Sequence, residues 1–406
     1  MPAPADIRLL TDSLRLAAPP PDLAERLARP ALAWDALLTH ADRHSLTPLL
    51  AAEWRRAGLW EAVPPAARAR LARAHADNGA RNAHIRAELV EVQVLLDRAG
   101  VPQLVLKGWP LVERLYADPA ERVLYDHDLL VPAEHAAAGH AALRAAGFRP
   151  LPAKDAWVEK HLPPLWRNAG YAWDGYLFDP LYPRPVELHI GLWETGWRGL
   201  AVRALPDPWL RAVERPVAGV PMRVLGDEDT LVHLAMHFAG HLVEREARLN
   251  QLLDVARFQA AAPLDWNRVL ALADAAGVSR FVYAALWLAH ALFGAPLPPV
   301  WPALAAAAPP QWRAWLETEG ADDTLTSHYQ LRGRGQDYRL TFLAAESWRE
   351  RAGVLRFAAL PPLGQLQAKY HLAHPWQAAL AYPRHVAERV WVYARGALAG
   401  RREGAP

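Results

Sequence analysis

Residues 66–98 read AARARLARAHADNGARNAHIRAELVEVQVLLDR, with apolar side chains recurring three and four positions apart. Gly100 follows, where a helix C-cap favours glycine. The spacing predicts one long helix. Upstream, Leu23, Leu27, Leu37 and Leu38 lie in Ala-rich segments broken by Pro19-Pro20-Pro21 and by Pro30, so residues 1–95 read as a helical region. The period then changes. Val101 to Leu106 is a short apolar run between turn signals, which predicts a buried strand. Lys107-Gly108 reads as a turn. Trp109 to Ala117 reads as a helix, with Pro110 in its first turn and Leu111, Val112, Leu115 and Tyr116 on one face. Arg122 to Val131 reads as a second strand, and 133–146 as an Ala-rich helix closed by Gly147. Strand, helix, strand and helix in this order form an α/β unit.

Pro150, Pro152, Pro163 and Pro164 mark a loop over 150–170. Tyr171–Phe178 and Val186–Ile190 read as strands joined across Asp179-Pro180. Helical periodicity returns over 227–243, 246–260, 266–275 and 278–293. A Pro/Ala-rich stretch follows at 296–311, then further helices with a break at Pro361-Pro362. The expected organisation is a helical region over 1–95, a core over 96–225, a helical domain packed on it over 226–300, and a C-terminal helical region over 301–406. The fold class is α+β: a small mixed sheet with flanking helices, embedded in predominantly helical N- and C-terminal regions.

Composition narrows the function classes. The apolar fraction of 52% and charged fraction of 22% are those of a globular chain, which excludes collagen-like, coiled-coil and mostly disordered classes. Forty-five basic against 43 acidic residues argue against a surface given over to nucleic acid. The absence of cysteine removes disulfide frameworks, thiolate zinc sites and thiol nucleophiles together. Asp6, Arg8, Asp12 and Arg15 interrupt the stretch that a signal peptide would keep apolar, and the apolar run Phe281–Ala295 is short and contains His290. A cytoplasmic protein with no membrane partner is the expectation. Only four of the basic residues are lysines (Lys107, Lys154, Lys160 and Lys369), which singles them out for inspection.

Asp126-His127-Asp128 interrupts the apolar run that continues as Leu129-Leu130-Val131. Side chains two apart on a strand point the same way, with Cα atoms about 7 Å apart, a spacing at which two carboxylates share a divalent cation. Hard oxygen ligands of this kind suit Mg²⁺. Acid-x-acid pairs are common in a chain with this many acids, and most are solvated surface. Here the charges break a hydrophobic strand, which is costly unless compensated. Val186-Glu187-Leu188-His189-Ile190 has the same grammar, with Glu187 and His189 on one face. Paired beside the Asp126 strand, Glu187 would complete a carboxylate triad for as many as two metal ions and phosphoryl or nucleotidyl transfer; alone, it reads equally as an exposed edge face. Lys107-Gly108, at a strand end, offers a cation and a close backbone approach for a phosphate. No P-loop and no Gly-rich dinucleotide fingerprint is present in the sequence.

Leu104-Val105-Leu106-Lys107-Gly108, then Leu115-Tyr116, Arg122, Asp126-x-Asp128-Leu129-Leu130-Val131 and Gly147-Phe148 resemble the uncharacterised nucleotidyltransferase family of the DNA-polymerase-β-like superfamily. Glu187-Leu188-His189 matches its acid-x-His strand, and His237 and Arg248-Leu249…Leu253-Asp254 are similar to its later helical segments. The likeness covers roughly residues 85–260. It implies a polymerase-β-like core, Mg²⁺ and a nucleoside triphosphate donor, ATP in the first instance, with an acceptor it does not name. Residue by residue it implies Asp126 and Asp128 as metal ligands, and Glu187 as third acid, ligating metal or taking the proton of the attacking hydroxyl. It places Gly108 against the triphosphate with Lys107 nearby, and Arg122 beside the acids or a phosphate. His189 and His237 are expected at the acceptor cleft. Two departures stand out: Gly108-Trp109 replaces the Gly-Ser of the wider superfamily, and the third acid is Glu where Asp is usual. Both leave room for a catalytically lapsed binding or scaffold protein on the same fold.

Two other features invite chemistry. His233, His237 and His241 recur every four residues beside the apolar stripe Leu231, Leu234, Phe238 and Leu242. They read as a row at a domain boundary, or else as ligands of a metal hydrolase. Near the C-terminus, Trp376, Tyr382, Trp391 and Tyr393 alternate with Arg384, Arg389, Arg395, Arg401 and Arg402. This reads as a final helix with its aromatics packed inward, or as a contact for RNA or anionic lipid.

Overall fold

A computed structural model describes residues 6–151, 160–167, 170–326 and 336–403. Lys154 and much of the proline-marked loop lie outside the described residues. The long helix is Pro65–Arg98, and the α/β unit follows it as expected. Strand β1 is Leu104–Val105, β2 His127–Leu130, β3 Arg149–Pro150, β4 Leu165–Trp166, β5 Val186–His189, β6 Val213–Val217 and β7 Val220–Val224. They form one mixed sheet in the order β3-β4-β5-β2-β1-β7-β6. The pairs β2–β5 and β1–β7 are parallel and the others antiparallel. The fold is α+β, a seven-stranded mixed sheet flanked by helices. Among the described residues no helix is long and apolar enough to cross a membrane.

Several sequence readings need correction. The second strand is His127–Leu130, not Arg122–Val131. Residues 119–122 are held by side chains of the long helix instead of a ladder. Asn78 Nδ2 donates to the carbonyls of Ala120 (2.8 Å) and Arg122 (3.2 Å), and Asn82 Nδ2 to those of Pro119 (2.5 Å) and Arg122 (2.8 Å). Tyr171–Phe178 forms no strand. Its polar groups bond locally, Tyr171 to Asp179, the Tyr176 amide to Asp174 and the Trp173 indole to the Tyr176 carbonyl, an alternative that competes with sheet pairing. The helix expected from residue 246 starts at Leu249, because Arg245 is left-handed (φ 65°) and Arg248 extended. In the hairpin β6–β7 the outer strand carries no alternation that would announce it: Val213 to Pro216 are exposed, although β7 buries Met222 and Val224 alternately, and the turn is made by Ala218 and Gly219, both at positive φ.

The two faces of the sheet bury different partners. Leu129, Val186 and Leu188 pack with Ile85, Leu89, Val92 and Leu96 of the long helix and with Leu143 of helix Ala133–Ala145. On the opposite face, Leu104, Leu106 and Leu130 join a core with Leu231, Leu234 and Phe238 of helix Asp227–Val243 and with Leu249 and Leu253 of helix Leu249–Ala261. That core runs on to Leu37 and Trp54 of the N-terminal helices. Asp128 and Glu187 thus emerge on the side that faces the helical half.

The segment leading into β2 hangs on Asn78 and Asn82, so removing one amide strands buried carbonyls. Asn82→Ala is expected to cost about 1–3 kcal/mol in urea unfolding; an unchanged midpoint would show that these bonds do not hold the segment.

Candidate active site

Parallel register sets Asp128 directly opposite Glu187, and Leu130 opposite His189. Because neighbours in register share a face, Asp128, Glu187 and His189 converge, with ligand atoms all within 4.8 Å of one another. His189 Nε2 lies 3.0 Å from Asp128 Oδ1 and 3.4 Å from Glu187 Oε2. His161 Nε2 lies 3.7 Å from the same Glu187 oxygen. Asp126 precedes β2 and its side chain is partly exposed, whereas Asp128 is buried. His127, on the reverse face, bonds Glu88 of the long helix at 3.1 Å, and Arg184 bonds the same carboxylate at 3.0 Å.

Lys107 supplies the cation of the cluster. Its ammonium pairs with Asp128 and lies 3.4 Å from Asp126 Oδ1. Burial would lower the ammonium's pKa, but the carboxylates of Asp126 and Asp128 outweigh it and hold the group above the ordinary lysine range. Asp126 is pushed up to about 6 by burial and by repulsion from Asp128, despite Lys107. Burial acts the same way on Asp128, but Lys107 and His189 overcome it and hold its carboxyl well below the usual range. For Glu187 the His189 hydrogen bond outweighs burial, and its pKa is lowered. His189 is raised, because bonds to Asp128 and Glu187 prevail over burial. Gly108, at φ +78°, makes the turn between Lys107 and helix Trp109–Leu115, a conformation an L side chain rarely adopts.

Arg122 is placed differently from a free phosphate-binding group. Its guanidinium donates three hydrogen bonds of 2.7–3.1 Å to Asp254, which also accepts from the Tyr116 hydroxyl at 2.7 Å. This buried latch ties the segment before β2 to helix Leu249–Ala261.

A cavity of about 280 Å³ opens between the two halves. Lys107, Gly108 and the stretch Arg122 to Asp126 form one wall, and His237, His241, Glu246, Arg248, Asn250 and Gln251 the other. The histidine row therefore divides. His233 is buried against Trp193, while His237 and His241 line the cavity. Burial lowers His233 to about 3 and His237 well below its ordinary value, and Lys107 adds to both. His189, expected at the cleft, sits within the acid cluster. Two of the cavity-lining residues that the sequence reading missed, Glu246 and Gln251, carried no motif; Asp254 had been noticed without its partner. The rarity of lysine, the Lys-Gly turn at a strand end and the family resemblance all marked Lys107, but none of them gave its pairing with Asp126 and Asp128. At the C-terminal helix, Trp376 and Trp391 are exposed, not packed inward, and Tyr382 donates to the Pro361 carbonyl. The Tyr393 side chain lies outside the described residues.

Residues 30–294 match the family model described as an uncharacterised nucleotidyltransferase. The chain belongs to that family. No curated protein and no solved structure matches it. The stretch typical of this nucleotidyltransferase family thus contains the acid cluster, the Arg122–Asp254 latch and both walls of the cavity.

Asp254→Ala leaves the Arg122 guanidinium buried and uncompensated, and is expected to cost about 3–5 kcal/mol in urea unfolding; a loss below 1 kcal/mol would mean the latch is not structural. A second expectation concerns pH. His44, buried at 1% exposure, accepts from the Leu249 amide and bonds the Leu325 carbonyl, and burial lowers it to about 4. A base whose folded value is depressed binds its proton more readily when unfolded, so stability falls as pH drops from about 6.5 toward 4. His44→Gln retains a donor and an acceptor without titrating, and should give a shallower slope of unfolding midpoint against pH. A slope equal to that of the wild type would contradict the assignment.

Proposed function

We propose that the protein is a metal-dependent nucleotidyltransferase that moves a nucleoside monophosphate from a nucleoside triphosphate, ATP in the first instance, to a hydroxyl of an acceptor. The observation that carries this reading is the register of β2 and β5. It sets Asp128 beside Glu187 on the face toward the cavity, with Asp126 at the cavity wall. The donors fit a hard divalent cation: Asp128, Glu187 and His189 bring ligand atoms within 4.8 Å of one another, and Asp126 joins Asp128 at the ammonium of Lys107, so carboxylates dominate. Asp126, Asp128 and Glu187 would hold Mg²⁺, which when bound supplies charge neutralisation for the reacting phosphate.

The residues of the chain do the rest by position. Gly108 leaves room for a triphosphate to approach the backbone, and Lys107 offers a charge-assisted hydrogen bond to it. The wall of His237, His241, Glu246 and Gln251 presents polar groups to the acceptor opposite the acids. An acceptor oxygen attacks the α-phosphorus, the bond from that phosphorus to the bridging oxygen breaks, and pyrophosphate leaves. A carboxylate of the cluster, Glu187 in the simplest arrangement, takes the hydroxyl proton. Alignment and electrostatic stabilisation account for the acceleration.

One observation favours a nucleotide-binding protein without turnover. Trp109 stands where the wider superfamily carries a serine, and its indole is buried and donates to Glu113 at 2.7 Å. The two readings separate in one experiment. Protein, Mg²⁺ and α-labelled ATP are incubated with cell extract, and label transfer and pyrophosphate release are followed. The transferase reading expects transfer that falls about 10²–10³-fold in Asp126→Asn and in Asp128→Asn. Transfer equal in wild type and both variants refutes it, and nucleotide binding without pyrophosphate release supports the lapsed protein.

A further inference from the structure

Two cations stand on the same cavity wall and are held in different ways. Arg122 spends its planar fork on Asp254 through three hydrogen bonds. Lys107 meets Asp126 and Asp128 with one ammonium at the end of a four-carbon stem. A guanidinium clamps a carboxylate bidentately and keeps it, whereas an ammonium is a compact point charge that rotates and exchanges partners. The chain makes 41 of its 45 basic residues arginine, yet places a lysine here.

The ammonium sits on Asp126 and Asp128, the carboxylates that would hold a divalent ion. Two cations on the same oxygens repel each other. Without any cation, Asp126, Asp128 and Glu187 would repel one another instead. Lys107 and Gly108 also line the cavity, so the stem has space to turn along its wall. His189 bonds Asp128 Oδ1 at 3.0 Å, while Lys107 pairs with the other oxygen, Oδ2, so the bond that aims the acid does not depend on the oxygen the ammonium holds.

We infer that Lys107 is a resident counter-cation: it holds Asp126 and Asp128 together in the nucleotide-free protein, yields them to a divalent ion, and moves its ammonium onto a phosphate oxygen of the entering triphosphate. This rests on the nucleotidyltransferase reading and adds a positioning role to it. Lys107 thereby couples metal entry to nucleotide entry: a metal alone must displace the lysine with nothing to receive it, and a nucleotide supplies the receiving anion.

The test measures Mn²⁺ affinity of the full chain by electron paramagnetic resonance, with and without a non-hydrolysable ATP analogue. In wild type, the analogue should tighten Mn²⁺ binding. Without analogue, Lys107→Met should bind Mn²⁺ about tenfold or more tightly than wild type, because the competing charge is gone. Its affinity for the analogue should fall about tenfold. Lys107→Arg should bind Mn²⁺ about tenfold more weakly, because the guanidinium holds the acids as a fork. Should Lys107→Met melt early in EDTA, a gain in melting temperature on adding Mn²⁺ larger than that of wild type is the expected result. Lys107→Arg keeps the charge and decides the matter if Lys107→Met does not fold. Mn²⁺ affinity of Lys107→Arg equal to wild type overturns the inference, as does unchanged or weaker Mn²⁺ binding by folded Lys107→Met. Wild type that binds no Mn²⁺ under either condition defeats the nucleotidyltransferase reading itself.

Discussion

Parallel pairing of β2 with β5 forces two carboxylates side by side. Asp128 and Glu187 are register partners, and their oxygens approach within 4.8 Å. At an effective dielectric of about 20, two like charges at that distance repel by roughly 3–4 kcal/mol. A fold keeps such a pair only with positive charge beside it or a use for one. Lys107 and His189 supply hydrogen bonds and charge in the free protein. We propose that the same geometry receives a divalent cation. Acid pairing, the lysine and the metal reading are consequences of one register.

The helical half sets where that site opens. Arg122 and Tyr116 are anchored to Asp254 across the gap, while Asn78 and Asn82 hold the carbonyls of the chain running into β2. The long helix and the helix Leu249–Ala261 thus grip the same short segment from two sides, and Asp126 follows directly from it. The cavity wall is precise because its backbone is tied by buried side-chain bonds where no strand runs.

Much of this was legible in the sequence. The long helix, the turn at Lys107-Gly108, the His-bearing helix and the acid-x-His strand follow from periodicity and from glycine and proline placement, since each is written in local residues. Asp128 and Glu187 could be proposed as partners from their alternating patterns, but their register is a property of strands separated by more than 50 residues. Tyr171–Phe178 had strand composition, but Tyr171, Trp173 and the Tyr176 amide found partners a few residues away, and the Tyr176 hydroxyl bonds Asp77 of the long helix. The β6–β7 hairpin escaped because its edge strand β6 is exposed and carries no hydrophobic alternation, and because both strands contain a proline. Asp254 was visible as a residue and invisible as a latch, because nothing local says that Arg122 reaches it. Lysine at 107 was conspicuous by rarity, yet its bridging of two acids is a fact of three dimensions.

The most direct test of the acid cluster is the anomalous diffraction of crystals grown with Mn²⁺ and a non-hydrolysable ATP analogue. An anomalous peak within about 2.0–2.3 Å of carboxylate oxygens of Asp126 and Asp128, with the α-phosphate beside it, is the result predicted here. A peak bound elsewhere, or nucleotide in the cavity with no metal at these aspartates, would contradict the account.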